Sequence, residues 1–241
     1  MNINDMTQKF KKNGNHGLEA DLFGLFVRDQ ELRQWRKYFE ENGGFSQDSW
    51  YPMWDILIKE LDITNFLDLG VHAGQFSVLP QLLALRHGKE FMTYSVSPFD
   101  GTGDKYSNYH QQNYLDVYMK AIRDFKLDEQ QFVRLRGLSN DPKIYGYLDL
   151  NQVKFQLMYI DGSHEYDFVV FDIENYVLNR LSPGGIVIFD DAHFFTPVGA
   201  PPAHRQGYED VVRAVQHKMD EHPDFEHLFD LTHNRIFRRK E

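Results

Sequence analysis

The sequence predicts an α/β protein: a doubly wound, mostly parallel sheet with an N-terminal helical extension and a C-terminal antiparallel hairpin. Three observations carry this expectation. Short apolar runs at residues 66–69, 91–96, 132–135, 155–160 and 186–189 alternate with segments of helical periodicity, the pattern of buried parallel strands joined by crossover helices. Two of these runs stop at acidic residues, Asp161-Gly162 and Asp190-Asp191, and ligands of such sheets gather outside the carboxyl ends of the strands. Residues 227–231 and 235–238 flank Thr232-His233-Asn234, which reads as an edge hairpin.

Composition narrows the class. The chain has 241 residues, enough for one large domain or a domain with an extension, and we expect a helical unit over 1–62 ahead of a sheet domain over 63–241. The hydrophobic fraction of 41% supports a real core, and a net charge of −10 argues against a broad nucleic-acid or anionic-membrane surface. Cysteine is absent, which removes disulfides, thiol chemistry and zinc–thiolate sites from consideration. No apolar run approaches a membrane span, and the polar opening MNINDMTQKFKKNGN lacks a signal-peptide core. These features lead us to expect a soluble cytoplasmic protein.

In chain order, residues 1–17 are polar and rich in Asn and Lys and are expected to be weakly ordered. Residues 18–42 read as one helix, since Leu22, Leu25, Phe26, Leu32, Trp35 and Phe39 recur at helical spacing, and Gly43-Gly44 closes it. Residues 49–61 read as a second amphipathic helix with Trp50, Trp54, Leu57 and Ile58 on its apolar side. Those aromatics read as core, with a cap or a homo-oligomer contact as the alternative. The sheet begins at Asn65, and a helix runs from the first strand's turn to about Arg86, with Pro80 near its start. A long polar and aromatic connection, 97–113, follows the second strand. Helix is expected over 114–125, and the third strand leads into Gly137-Leu138-Ser139-Asn140-Asp141. The fourth and fifth strands enclose a helix that Leu181-Ser182-Pro183-Gly184-Gly185 breaks. A proline-rich loop (194–207) and a last helix (208–221) precede the hairpin.

Two stretches carry candidate chemistry. If the fourth and fifth strands are neighbours, their ends lie about 5 Å apart, and Asp161, Asp190 and Asp191 face one pocket. Carboxylates so close repel unless a cation sits between them or one stays protonated. Oxygen ligands suit a hard ion such as Mg²⁺. The plainer reading is that Asp161-Gly162 only makes the turn and that Asp161 or Ser163 only caps the next helix. At the first strand, Gly70 and Gly74 let backbone N–H groups approach a ligand ahead of a helix, and Asp68 could meet an ammonium group. A full G-x-G-x-x-G is missing, because His72 and Gln75 take the later glycine positions, which disfavours a dinucleotide loop.

The segments DLGVHAG, YIDGSHEYDFVVFDIENY and LSPGGIVIFDDAH resemble the class I S-adenosylmethionine-dependent methyltransferases, a Rossmann-like family. More narrowly they resemble its branch of macrolide-sugar O-methyltransferases and cephalosporin-hydroxylase-like proteins. GLSND is similar to the adenine-side loop of the metal-dependent catechol type. The resemblance runs from about Asn65 to the C-terminus and is absent from the N-terminal helices. It implies that Asp68, Gly70, His72 and Gly74 hold the methionine end of the cofactor, that Ser139 and Asn140 lie near the adenine, and that Asp161, Asp190 and Asp191 bind Mg²⁺, with Asp161 also bordering the cofactor. Ser97 stands where the family usually has an acidic residue gripping both ribose hydroxyls; it can make one such bond, with Asp100 as a substitute from the loop.

The implied reaction is in-line transfer of the sulfonium methyl to an oxygen, the metal lowering the pKa of the acceptor hydroxyl and orienting it. His164 and His193 are the candidate general bases, with His193 preferred because it opens the 194–207 loop. Tyr106, Tyr109, His110, His204 and Arg205 are candidate contacts to a hydroxylated small-molecule substrate, a sugar or glycosylated metabolite. A catechol or phenol acceptor is the nearest alternative, and a non-catalytic binding protein that keeps the fold is the alternative of a different class.

Overall fold

A computed structural model describes residues 1–100 and 113–241. Seven strands form one sheet in the order β3-β2-β1-β4-β5-β7-β6: β1 (Asn65–Leu69), β2 (Met92–Ser97), β3 (Phe132–Arg136), β4 (Phe155–Ile160), β5 (Leu181–Phe189), β6 (Phe225–Leu231) and β7 (Asn234–Arg239). The first five pair in parallel, while β7 lies antiparallel between β5 and β6. The chain starts at β1 in the middle, winds outward to β3, then returns to β4 on the other side of β1. This reversal places a topological switch point between β1 and β4, where a crevice forms.

Side chains alternate along the central strands, except at the irregularity in β4 that sends Phe155 and Leu157 to opposite cores. Phe66, Leu157, Tyr159, Ile186 and Ile188 join the core on one face, and Leu67, Leu69, Met158, Ile160, Val187 and Phe189 join the core on the other, as the two-residue strand period requires. On the first face lie α1 (Ile3–Arg28), α3 (Trp50–Glu60), α4 (Gln75–Arg86) and α5 (Tyr114–Asp124). On the second lie α6 (Pro142–Leu150), α7 (Tyr166–Asp172) and α9 (Glu209–Met219). A π turn (Ile173–Val177) and the short α8 (Leu178–Arg180) connect α7 to β5. Trp54 sits 5.7 Å from the rings of both Phe66 and Tyr159, and Trp50, Leu57 and Ile58 are buried with it. These rings of α3 are core, whereas Phe23 on α1 stays exposed.

Several boundaries differ from expectation. The opening residues are helical rather than weakly ordered: the Asn2 side chain accepts from Asp5 N at 2.7 Å and the Asp5 carboxylate accepts from Asn2 N at 2.9 Å, a reciprocal cap, and Met6 is fully buried. The helix kinks at Gly14 (φ +69°). The kink presents Asn15 to the β6–β7 turn, where it donates to Thr232 O at 2.8 Å and accepts from Thr232 N at 2.7 Å. The single helix expected over 18–42 is two, α1 and α2 (Gln30–Glu41). Asp29 between them takes extended backbone, and its carboxylate accepts from the N–H groups of Glu31 and Leu32, an N-cap that the apolar spacing hides. α6 has no counterpart in the apolar spacing, although Asp141 caps it and Pro142 opens it, the usual order of helix-start signals. β5 begins at Leu181, so Ser182-Pro183-Gly184-Gly185 belongs to an irregular strand start rather than to a break before it. Among the described residues no helix is long and apolar enough to cross a membrane.

Candidate active site

A cavity of about 1000 Å³ opens over the carboxyl ends of the parallel strands. It is at the upper end of the range of small-molecule sites, about 300–1000 Å³, which leaves room for a cofactor and an acceptor together. The turns after β1, β2, β3, β4 and β5 all contribute to it, joined by Phe23, Arg36 and residues 44–50 from the N-terminal part and by Gln206, Tyr208 and His233.

Asp68 enters the cavity from β1. It is 1% exposed. Ser77 Oγ donates to one carboxylate oxygen, and the hydroxyl chain continues through Ser95 to Tyr118, each step 2.8 Å. The other oxygen, Oδ1, has no partner among the described residues. Burial pushes the Asp68 carboxyl up to about 7, against the pull of the Ser77 bond. A buried acceptor without a donor is costly, and a ligand ammonium group would satisfy it. Gly70, next along, has φ +96°, and a Cβ there would lie 1.7 Å from Asp161 O. Only glycine lets the β1 and β4 turns come this close. At Gly74 a Cβ would meet the Tyr118 ring at 2.5 Å; this glycine serves helix packing and is not on the cavity wall. His72 is on the wall, 4.4 Å from the Tyr114 ring, and burial lowers its pKa to about 4, so it is uncharged near neutrality.

Ser97 borders the cavity, and its Oγ accepts from Phe99 N at 3.3 Å. Asp100 is turned to Arg136 at 3.5 Å, away from the lining. Ser139 lines the cavity, while Asn140 is exposed outside it.

The acidic side divides in an unexpected way. Asp161 and Asp190 sit level because Asp161 N donates to Leu69 O at 2.8 Å and Asp190 N to Ile160 O at 3.0 Å. Ligating atoms of Asp161, His164 and Asp191 all lie within 4.8 Å of one another, with His164 Nε2 3.3 Å from Asp191 Oδ2. Asp190 faces His233 Nε2 at 3.3 Å instead, and that nitrogen is 3.9 Å from Asp191. The expected Asp161–Asp190–Asp191 set is therefore joined by two histidines, one on each side. Burial and the neighbouring carboxylates Asp190, Asp191 and Asp68 hold the Asp161 carboxyl well above the usual range. Burial also works to raise Asp190, but the charge and hydrogen bond of His233 outweigh it and leave Asp190 below its ordinary value. His233 is raised in turn: burial disfavours its charge, and Asp190 more than compensates. Crowded carboxylates with an imidazole fit a divalent cation. One or two carboxylates are what Mg²⁺ takes from a protein, and the imidazole suits an ion such as Fe²⁺ as well. Asp191 has φ +52°, a conformation that costs a non-glycine residue about 1–3 kcal/mol and recurs at functional sites.

His193 is not on the cavity wall. Past the left-handed turn at Asp191 the chain reverses, so that His193 N donates to His233 O at 3.0 Å and its Nδ1 lies 3.4 Å from Asp230. The preference for His193 over His164 is therefore corrected on position. His204 and Arg205 are exposed on a short turn outside the lining, with the Arg205 guanidinium 4.0 Å over the Phe194 ring. Of the 194–207 loop only Gln206 reaches the cavity among the described residues. Tyr106, Tyr109 and His110 lie outside the described residues. Sequence reasoning missed His233, Gln206 and the N-terminal wall. Gln206 Oε1 accepts from Gln47 Nε2 at 2.7 Å and lies 2.8 Å from His233 Nδ1, linking three segments distant in sequence.

The methyltransferase domain family (Methyltransf_24) matches residues 67–192. A curated relative, the uncharacterized protein y4gI of Sinorhizobium fredii, is 25% identical over 154 residues, which is 64% of this chain and 16% of that protein. The chain thus spans about a sixth of its length. The SAH-bound methyltransferase PaMTH1 of Podospora anserina superposes with a TM-score of 0.58 at 13% identity, covering 92% of this chain and 88% of that one. An O-methyltransferase from Bacillus cereus in complex with SAH gives 0.57 at 11% identity, over 88% and 91% of the two chains. The O-methyltransferase NovP gives 0.54 at 15% identity, over 80% of each. Likeness at these identities shows a shared fold.

Proposed function

The chain belongs to the methyltransferase domain family, and from that membership we propose that it transfers the sulfonium methyl of S-adenosylmethionine to a hydroxyl oxygen of a small molecule. One observation carries the reading. A single cavity holds, at the ends of adjacent strands, a buried carboxylate with one oxygen unpartnered among the described residues (Asp68) and an acidic cluster with an imidazole (Asp161, Asp191, His164). The first suits the amino group of the cofactor's methionine end; the second suits activation of an acceptor. That fold neighbours carry SAH supports the same cofactor.

In this reading Asp68 and the Gly70 turn bind the methionine end, Ser97 meets the ribose and Ser139 borders the adenine. Asp161 and Asp191, with Asp190 beside them, would hold a divalent cation such as Mg²⁺. A cation there lowers the pKa of the acceptor hydroxyl. His164 is placed to take the hydroxyl proton, since it lines the cavity next to Asp191. The walls would set the line from methyl to oxygen. The acceptor is a sugar or a glycosylated metabolite: Phe23 and Phe45 offer ring faces, and Arg36, Gln47 and Asp48 offer polar contacts along one wall, a mixture that suits a ring with hydroxyl edges.

Calorimetric titration of S-adenosylhomocysteine, with Mg²⁺ and with chelator, tests the cofactor and the metal together. Binding by the wild type, and a Mg²⁺ heat lost in Asp191→Asn, is the expected result; absence of cofactor binding under every condition would refute the reading. A panel of sugars, glycosides and catechols followed by mass spectrometry then tests the acceptor, and transfer to catechols alone would overturn the sugar assignment.

A further inference from the structure

The hydroxyl chain behind Asp68 has a direction, and the proposed reaction gives it no role. Ser77, Ser95 and Tyr118 are all fully buried. A hydroxyl carries one proton to donate. With Asp68 ionised, as an ammonium partner requires, Ser77 Oγ donates its proton to Asp68 Oδ2. At the 2.8 Å contact between Ser77 and Ser95, Ser77 can then only accept, so Ser95 donates. Ser95 has no second proton, so at the next 2.8 Å contact Tyr118 Oη donates to it. Burial pushes the Tyr118 hydroxyl well above its ordinary value, so it keeps the proton that this order needs. The chain therefore runs one way, from α5 through β2 and α4 to β1, and all three O–H dipoles point their positive ends at one carboxylate. Bonds in such a chain polarise and strengthen one another. Its origin is held independently: a Cβ on Gly74 would lie 2.5 Å from the Tyr118 ring, and the Phe99 ring lies 6.1 Å away and 11° from parallel. None of Ser77, Ser95 and Tyr118 is on the cavity wall, whereas Asp68 is. The three hydroxyls thus reach a ligand only through Asp68, whose Oδ1 has no partner among the described residues.

We propose that Ser77, Ser95 and Tyr118 are positioning residues for the cofactor's amino group: they form a one-way hydroxyl relay that stabilises Asp68 as a carboxylate through Oδ2 and leaves Oδ1 to accept from the ammonium. The inference rests on the reading that this cavity takes S-adenosylmethionine. Without the relay, the ligand alone would have to offset the cost of a buried charge, and affinity would fall accordingly. With it, the acceptor is oriented before the ligand arrives.

The test compares two ligands by calorimetry at pH 8: S-adenosylhomocysteine, which carries the amino group, and methylthioadenosine, which lacks the whole amino-acid end. The proteins are wild type, Ser77→Ala, Tyr118→Phe and the double variant. Ser77→Ala should weaken S-adenosylhomocysteine binding about five- to tenfold. Tyr118→Phe removes only the origin of the relay and keeps the ring that packs on Gly74 and Phe99, so about two- to threefold is expected. Both variants should bind methylthioadenosine as wild type does. The double variant should bind S-adenosylhomocysteine no more weakly than Ser77→Ala alone, because the relay is already cut at Asp68. Equal losses for the two ligands would overturn the proposal, since a general disturbance of the cavity does not tell them apart. Fully additive losses in the double variant, or wild-type affinity in Ser77→Ala, would overturn it too. Should Ser77→Ala fail to fold, Tyr118→Phe decides by the same pair of ligands. If wild type takes neither compound, the cofactor reading fails first; if wild type takes both and the variants do not separate them, this inference alone fails.

Discussion

At the end of β1 one carboxylate stands apart from its own kind; at the ends of β4 and β5 three crowd together. Both groups face the same cavity, yet the protein neutralises them by different means. Asp68 is surrounded by hydroxyls and apolar side chains, and burial raises it to about 7, so near neutrality it is partly protonated. Asp190 is slightly more exposed, its side chain 11% accessible, but it has a histidine partner, and its pKa moves the other way. Burial raises both carboxyls, and the nearest charged neighbour decides whether that effect prevails. One site is left waiting for a cation, and the other has part of its cation built in.

The largest expected effect lies on the crowded side. His164→Ala should lower the rate of methyl transfer about 100- to 10,000-fold, the usual worth of a general base. Single-turnover assays with the best acceptor would check it, and a loss below tenfold would move proton removal elsewhere. His233→Leu should destabilise the fold by about 3–5 kcal/mol, because it strands Asp190 as a buried, unpaired charge. The sign follows from the shifts. His233 is raised above its ordinary 6.5, so its contribution is complete below that value and fades as pH climbs through the raised one. Asp190 is lowered from 3.8, so its contribution is present above that value and is lost as pH falls through the lowered one. Urea unfolding should therefore separate wild type from variant most between about pH 4 and 6.5 and less at pH 9; a constant gap would break the contrast with Asp68.

On the solitary side, Asp68→Ala should weaken S-adenosylhomocysteine binding about 10- to 100-fold, the loss of a charged hydrogen bond. Asp68 is raised from 3.8 to about 7, so the stability of its buried neutral form is complete below 3.8 and is lost as pH rises through about 7. Ligand binding should follow the opposite course, strengthening from pH 6 to pH 8 as the carboxylate ionises to meet the ammonium group. Calorimetry across that range should give a slope in wild type and none in Asp68→Ala. The smallest effects belong to the loop. His204→Ala and Arg205→Ala should change kcat/KM by less than about twofold, as exposed substitutions away from a site do.

Much of this was legible in the sequence because the signals are local. Five apolar runs and their alternation with helices name parallel strands, and Asp68, Asp161, Asp190 and Asp191 stand at the strand ends by position alone. Backbone geometry makes such placements nearly automatic, since a strand that ends at the sheet's carboxyl edge must deliver its next residue to the crevice. The break at Asp29 was hidden because the apolar spacing runs through it, and a cap is read only when the periodicity on either side also stops.

Tertiary structure alone decided the partners. Asn15 holds Thr232 across 217 positions, Gln47 holds Gln206 across 159, and His233 comes to Asp190 only because β7 inserts beside β5. None of these pairs leaves a periodic trace, since each depends on one side chain meeting another at a distance the chain does not encode locally. Which aspartate keeps its proton, which histidine faces the cavity and which segment walls the acceptor are consequences of those meetings. A charge is set by its neighbours in space, and the sequence specifies those neighbours only through the completed fold.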